Sequence, residues 1–162
     1  MKIDNAEIKY RRANIGDIEV LVELRIRFLN ELNNNPEDEE TDSLKKALRE
    51  YFSNAIPSNE FIGWLAERNN KVLGTGGIVV WQMPGRYGFE SGKLGYICNM
   101  YTIPEARRRG ISTQLLAELT REAKSLELGY LHLCAHKDAI KIYRKTGFAE
   151  PHHLEMQLKL NQ

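Results

Sequence analysis

The chain has 162 residues, the size of one ordinary domain, and at that length roughly 68–70% of the unfolded surface is buried, so a core forms without disulfides. Apolar residues make up 42% and charged residues 28%, a balance that excludes a disordered chain. The formal net charge is +1, which argues against a strongly basic nucleic-acid binder and leaves only a local basic patch open.

In chain order, Glu7 to Arg12 reads as a short strand. Ile18, Leu21, Val22, Leu24, Phe28, Leu29 and Leu32 recur at helical spacing and predict an amphipathic helix from Ile15 to Asn33, capped by Asn14 or Asp17 and stopped by Asn33-Asn34-Asn35-Pro36. A second helix is predicted from Asp42 to Ala55. Phe61 to Glu67 and Val72 to Gln82 are strand-like, and Asn69-Asn70 between them is a hairpin turn. Met83 to Lys93 contains glycine and proline and reads as a loop. Leu94 to Ile103 is a third strand of this run, followed by a helix from Gly110 to Glu127 with Ile111, Leu115, Leu119, Ala123 and Leu126 inward and Gly129 as its cap. Tyr130 to Ala135 is a further strand, Asp138 caps a short helix from Ala139 to Thr146 that Gly147 closes, and Leu154 to Leu160 alternates as a final strand.

The predicted order is β-α-α-β-β-β-α-β-α-β, an α/β chain forming one domain over 1–162. An antiparallel meander leads into a strand–helix–strand crossover, which requires a parallel pair, so the sheet is mostly antiparallel with helices on both faces. Cys98 and Cys134 belong to no CxxC or metal pattern, and His132, His136, His152 and His153 have no ligand spacing, so no metal is expected. The polar start from Met1 to Arg12 lacks an apolar signal region, and no run reaches the about 18 apolar residues of a membrane span. Two reduced thiols in a cytoplasmic protein are the expectation.

The most informative stretch is Arg107-Arg108-Arg109-Gly110-Ile111-Ser112, a basic glycine turn between a strand and a helix. The first N–H groups of a helix lack intrahelical partners and sit at the positive end of its dipole, which suits pyrophosphate. GxxxxGK[ST] and GxGxxG are both absent, so neither a nucleoside-triphosphate loop nor a dinucleotide loop is present.

Arg107-x-x-Gly110-x-Ser112, following Asn99-Met100-Tyr101-Thr102-Ile103-Pro104-Glu105, resembles the Q/R-x-x-G-x-G/A acyl-CoA motif of the GNAT (Gcn5-related) N-acetyltransferases. Ala139-x-x-x-Tyr143-x-x-x-Gly147-Phe148 resembles the tyrosine-bearing helix and Gly-Phe turn of the same family. The resemblance spans nearly the whole chain. Ser112 stands in place of the second Gly or Ala, and His136 stands where many relatives carry an asparagine that contacts the cofactor arm.

The resemblance implies an N-acetyltransferase with acetyl-CoA as acyl donor. Backbone N–H groups from Arg108 to Thr113, including Ile111 and Ser112, would hold the pyrophosphate, with Arg107, Arg108 and Arg109 adding charge. Met100 and Thr102, flanking Tyr101, would pair with the pantetheine arm. In relatives a β-bulge at the positions of Asn99 and Met100 splays two strands, and the Met100 N–H would face the thioester carbonyl, an effect worth roughly 2.7–4 kcal/mol. Tyr143 would protonate the leaving thiolate; His136 is a further contact to the cofactor.

The acceptor amine must be neutral to attack. An amine of pKa about 10.4 is about 0.04% neutral at pH 7, a deficit of roughly 4.6 kcal/mol, whereas an α-amine costs about 1 kcal/mol. The strand from Leu94 to Ile103 carries no carboxylate, so a base acts through water at Asn99 or a backbone carbonyl, or comes from Glu60 or Glu90. Glu31, Trp81, Tyr87 and Glu90, with Asn30, Asn34, Arg86 and Phe89, are candidate acceptor contacts, and the loop from Met83 to Lys93 reads as a closing segment. Small amines, amino acids, polyamines, aminoglycosides and protein N-termini all fit, in a monomer or homodimer without nucleic-acid or membrane partners. The alternatives are a catalytically inactive CoA-binding regulatory protein of the same fold and a nucleic-acid module using Arg107 to Arg109.

Overall fold

The sequence builds a five-stranded mixed sheet, seen in a computed structural model that describes residues 8–34 and 39–160. The elements are β1 (Lys9–Arg12), α1 (Ile18–Asn33), α2 (Glu39–Ala55), β2 (Phe61–Arg68), β3 (Lys71–Gln82), β4 (Lys93–Thr102), α3 (Ile111–Ser125), β5 (Tyr130–His132) and α4 (Ile140–Lys145). Strands lie in the order β1-β2-β3-β4-β5, antiparallel through β4, with β5 parallel to β4. The parallel pair is the predicted one, and α3 is its crossover.

Local chemistry accounts for the ends of these elements. Asn14 accepts the Gly16 N–H at 2.8 Å while Asp17 accepts the Asn14 N–H at 2.8 Å, so both candidate caps act together in one capping box. Asn34 ends α1 in the left-handed region (φ 51°); Asn35, Pro36 and Glu7 lie outside the described residues. Asn69 and Asn70 both have positive φ, which a two-residue hairpin with the twist of its strands requires.

Alternation along β2 sends successive side chains to opposite layers. Phe61 and Leu65 join Leu21, Val22 and Ile26 of α1 and Phe52 and Ala55 of α2 on one face. Trp64 points the other way and donates its indole N–H to Glu122 of α3 at 3.0 Å. On that second face Ile78 and Ile97 pack against Leu116, Leu119 and Ala123 of α3. Leu115, Leu116 and Leu119 are fully buried, each contributing about 1.5–3 kcal/mol. That burial fixes α3 against the sheet and places its N-terminus beside the end of β4.

The C-terminal third departs from expectation. β5 stops at His132 rather than Ala135, because β4 bends away and leaves the later residues no strand to pair with. Glu127 (φ 55°), not Gly129, makes the left-handed turn after α3; Gly129 is needed because a Cβ there would lie 2.1 Å from the Phe89 ring. Asp138 does not cap α4, which follows a 3-10 turn at Lys137–Ala139 and ends before Gly147 at φ 101°. The predicted strand from Leu154 to Leu160 does not form, and Leu154, Met156, Leu158 and Leu160 are exposed. Alternation marks which side of a ribbon is apolar, but a strand exists only when its backbone finds an edge, and this segment is not paired with β5.

Candidate active site

The decisive local feature lies in the middle of β4. Thr75 pairs with Tyr101 and Gly77 with Cys98, so Gly76 alone stands opposite both Asn99 and Met100. This is a β-bulge, with Asn99 in the left-handed region at φ 54°. Asparagine tolerates that conformation better than most residues. Gly76 makes room for it: a Cβ there would lie 2.6 Å from Met100 Sδ and 2.9 Å from Leu119 Cδ1.

The bulge bends β4 away from its parallel neighbour. The β4–β5 ladder runs Leu94–Tyr130, Gly95–Leu131 and Tyr96–His132 and ends there, while β4 continues to Thr102. A wedge therefore opens beyond Tyr96. The Ile103 N–H bonds to Leu73 of β3 at 2.9 Å, so by strand alternation Thr102 and Met100 turn their backbone groups toward the wedge.

The basic turn lies just past the end of β4. Arg108 (φ 60°) and Gly110 (φ 78°) are both left-handed, and a Cβ on Gly110 would meet no protein atom within 4 Å. The first bond of the α3 ladder is Gln114 N–H to the Gly110 carbonyl at 3.0 Å, so the Ile111, Ser112 and Thr113 N–H groups precede it. Ser112 does more than stay small: its hydroxyl lies 3.0 Å from the Thr102 hydroxyl.

Tyr143 sits on α4, half-buried among Ile97, Leu131, Leu133 and Ile142, with its ring edge-on to Phe148 at 5.8 Å. Burial, and then the nearby Tyr96, push its hydroxyl above the usual phenol range. It is a proton donor at neutral pH. Cys98 is pushed up to about 11 by burial, against a smaller opposing pull from Arg25, which removes it as a thiolate nucleophile.

Other expected residues are placed differently. Arg107 turns away from the helix start, its Nε donating to the Thr102 carbonyl at 2.9 Å and its Nη2 to Glu31 at 2.5 Å. Glu31 also accepts from the Tyr101 hydroxyl. Trp81 stacks on Tyr96 at 5.3 Å, on the β3–β4 pair where the wedge begins. His136 is exposed at the start of the turn before α4, its ring nitrogen 3.6 Å from the Asp138 carboxylate.

The loop before β4 packs on the first residue of β5. Arg86 lies 5.5 Å over the Tyr130 ring and Phe89 meets the same ring edge-on at 5.0 Å. Tyr130 begins β5, at the closed end of the parallel pair. Tyr87 is fully exposed at the loop tip, and Glu90 accepts the Gly88 N–H at 3.2 Å. Of the expected acceptor contacts in this loop, Arg86 and Phe89 pack on Tyr130, while Arg86, Tyr87 and Glu90 line an open concavity.

The family model described as Acetyltransferase (GNAT) family matches residues 25–148. The chain belongs to this family. A solved structure of a predicted acetyltransferase with acetyl-CoA from Clostridium acetobutylicum is 35% identical, with a TM-score of 0.85 over 94% of this chain and 96% of that one. A GCN5-related N-acetyltransferase from Ralstonia eutropha JMP134 is 20% identical, with a TM-score of 0.79 over 93% of this chain and 98% of that one. Glucosamine-6-phosphate N-acetyltransferase from Arabidopsis thaliana, at 17% identity, has a TM-score of 0.69 over 95% of this chain and 99% of that one. The last two share the fold. No curated protein matches the sequence.

The GNAT domain also carries a residue at the wedge that the sequence motifs leave out. Burial raises the Tyr96 hydroxyl, helped by Cys134 and Cys98 and opposed by a hydrogen bond with the Cys134 backbone. Tyr96 thus spans the root of the wedge, from β4 to the chain beyond β5. Its only sequence signal is its place on β4, two residues before Cys98. Among the described residues, no helix is long and apolar enough to cross a membrane.

Proposed function

We propose that this GNAT domain transfers an acetyl group from acetyl-CoA to a primary amine by direct attack in a ternary complex. The observation that carries the reading is the bulge at Asn99–Met100, which opens the wedge between the basic turn and Tyr143. The likeness to a relative solved with acetyl-CoA supports it.

In this reading the N–H groups from Arg108 to Thr113 hold the pyrophosphate, at the positive end of α3. The open space over Gly110 lets phosphate oxygens approach the backbone. Arg108 and Arg109 add charge. Met100 and Thr102 align the pantetheine arm along the free edge of β4. Thr102 gives up its carbonyl to Arg107, which leaves its N–H for the donor.

Met100 N–H faces the thioester carbonyl. The neutral amine attacks the carbonyl carbon, and Met100 N–H stabilises the oxygen as it gains charge. The carbon–sulfur bond breaks, and Tyr143 gives its proton to the departing thiolate. The proton lost by the amine passes to solvent through water at Asn99. Tyr143 is then restored from solvent.

The acceptor enters from the side of α1 and α2, where the stacked Trp81 and Tyr96 rings offer a flat contact. A thiol-release assay with acetyl-CoA and a panel of amines tests the reading. Release of CoA that depends on one amine class supports it. Binding of acetyl-CoA without turnover on any amine would replace it with a CoA-binding regulatory protein.

A further inference from the structure

Arg107 opens the donor turn, yet its guanidinium is engaged elsewhere. Nε donates to the Thr102 carbonyl at 2.9 Å, Nη2 donates to Glu31 at 2.5 Å, and the group lies 5.7 Å over the Tyr101 ring. The second Glu31 oxygen accepts from the Tyr101 hydroxyl. Three elements meet here: the last turn of α1, the end of β4 and the turn before α3.

The cluster joins the C-terminal end of α1 to the basic turn. The buried residues of α1 are Leu21, Val22, Leu24 and Ile26, all in its first ten residues. Beyond them Phe28 packs toward the sheet, against Tyr101 at 6.1 Å. In the basic turn Arg107, Arg108 and Gly110 are exposed and Arg109 is half-buried, between the buried Ala106 and Ile111. Glu31 and Arg107 tie one to the other.

The electrical state of the cluster is stable. Burial pulls the Glu31 carboxyl up, but Tyr101 and Arg107 together hold it below its usual range. Burial and then Glu31 raise the Tyr101 hydroxyl to about 12. Glu31 remains an acceptor and Tyr101 a donor from mildly acidic to alkaline pH.

We propose that Glu31, Tyr101 and Arg107 form a latch that holds the donor turn against α1, with Glu31 as a positioning residue for acetyl-CoA binding rather than an acceptor contact. The proposal rests on the donor site described above. It makes Arg107 a brace of the turn instead of a phosphate ligand. Through it, occupancy of the donor turn bears on the helix that borders the acceptor.

The sign of one substitution separates the two roles. If Arg107 is held back from the phosphates by Glu31, Glu31→Gln frees it, removes a negative charge and tightens acetyl-CoA. If the latch sets the turn, the same change weakens acetyl-CoA. The experiment is calorimetric titration of acetyl-CoA into the whole chain and into Glu31→Gln, Arg107→Gln, Arg107→Lys and the Glu31→Gln/Arg107→Gln double variant, with unliganded thermal unfolding recorded for each. The latch predicts about fivefold weaker binding for Glu31→Gln, the size of one exposed ion pair. It predicts a loss in the double variant smaller than the sum of the two single losses, since the Glu31–Arg107 pair is counted in both. It also predicts no rescue by Arg107→Lys, which keeps the charge but loses the two-pronged geometry. Tyr101→Phe, which removes one hydroxyl from a buried ring, should weaken binding in the same direction. Unchanged or tighter binding by Glu31→Gln, additive losses, or full rescue by lysine would overturn the latch. Absence of acetyl-CoA binding to the unaltered chain would overturn the donor-site reading and the latch together.

Discussion

The hydroxyls of Thr102 and Ser112 lie 3.0 Å apart, one on the last residue of β4 and the other in the first turn of α3. The contact ties the strand that carries the bulge to the helix whose N-terminus follows it. Ser112→Ala removes one neutral hydrogen bond beside the buried Thr102 and should lower stability by about 1 kcal/mol in urea unfolding. Acetyl-CoA affinity should change less than stability suggests. A tenfold loss of affinity with unchanged stability would mean that the hydroxyl itself touches the donor.

Gly76 controls the same strand from the other side. Alanine there brings a Cβ to 2.6 Å from Met100 Sδ and 2.9 Å from Leu119 Cδ1. Both side chains can shift, at an overpacking cost of about 1–3 kcal/mol. Displacing Met100 disturbs the bulge, so Gly76→Ala should reduce kcat as well as the unfolding midpoint. Full activity in a folded Gly76→Ala protein would separate the bulge from catalysis.

Much of this architecture is written in local patterns. The helices α1 and α3, the Asn69–Asn70 hairpin and the β4–α3–β5 crossover follow from periodicity and turn chemistry, because those signals are carried by neighbouring residues. The bulge is different. It depends on a count of residues across two strands, Gly76 against Asn99 and Met100, and no single-strand pattern contains that count. The same limit applies to contacts at the site between residues far apart in the chain. The sequence does not show that Glu31, far away in the chain, accepts from Arg107. Nor does it show that Arg86 and Phe89 pack on Tyr130 at the closed end of the strand pair. The segment from Leu154 to Leu160 has the alternation of a strand without a paired edge.

Tyr143 supplies a prediction with a definite sign in pH. Its hydroxyl is raised by burial first and Tyr96 second, so it keeps its proton past the ordinary phenol value of about 10. Activity should rise with pH as the acceptor amine loses its proton, and the fall caused by loss of the Tyr143 proton should lie above about pH 10. Tyr143→Phe should lower kcat by about a hundredfold and leave acetyl-CoA affinity nearly unchanged. Steady-state kinetics across pH, paired with titration calorimetry, reads both. An unchanged kcat would return Tyr143 to a packing role beside Phe148.

The two cysteines should differ in reactivity. Cys98 is pushed up to about 11 by burial, whereas Cys134 is exposed. Brief iodoacetamide treatment at neutral pH should label Cys134 and spare Cys98, as read by mass spectrometry of the intact chain and its peptides. Direct transfer also requires that Cys98→Ala retain turnover. An acetylated Cys98 trapped after mixing with acetyl-CoA would contradict direct attack.

The central claim is that the glycine turn before α3 holds the acyl donor, and Gly110→Asp tests it most directly. Gly110 has φ 78°, and its side-chain direction is empty of protein atoms. Aspartate tolerates left-handed backbone better than most residues, so the fold should survive while a carboxylate occupies the space needed by phosphate. Calorimetric titration of acetyl-CoA should give one saturable site per chain in the unaltered protein and no measurable binding in a folded Gly110→Asp variant. Equal affinity in the two would contradict the account.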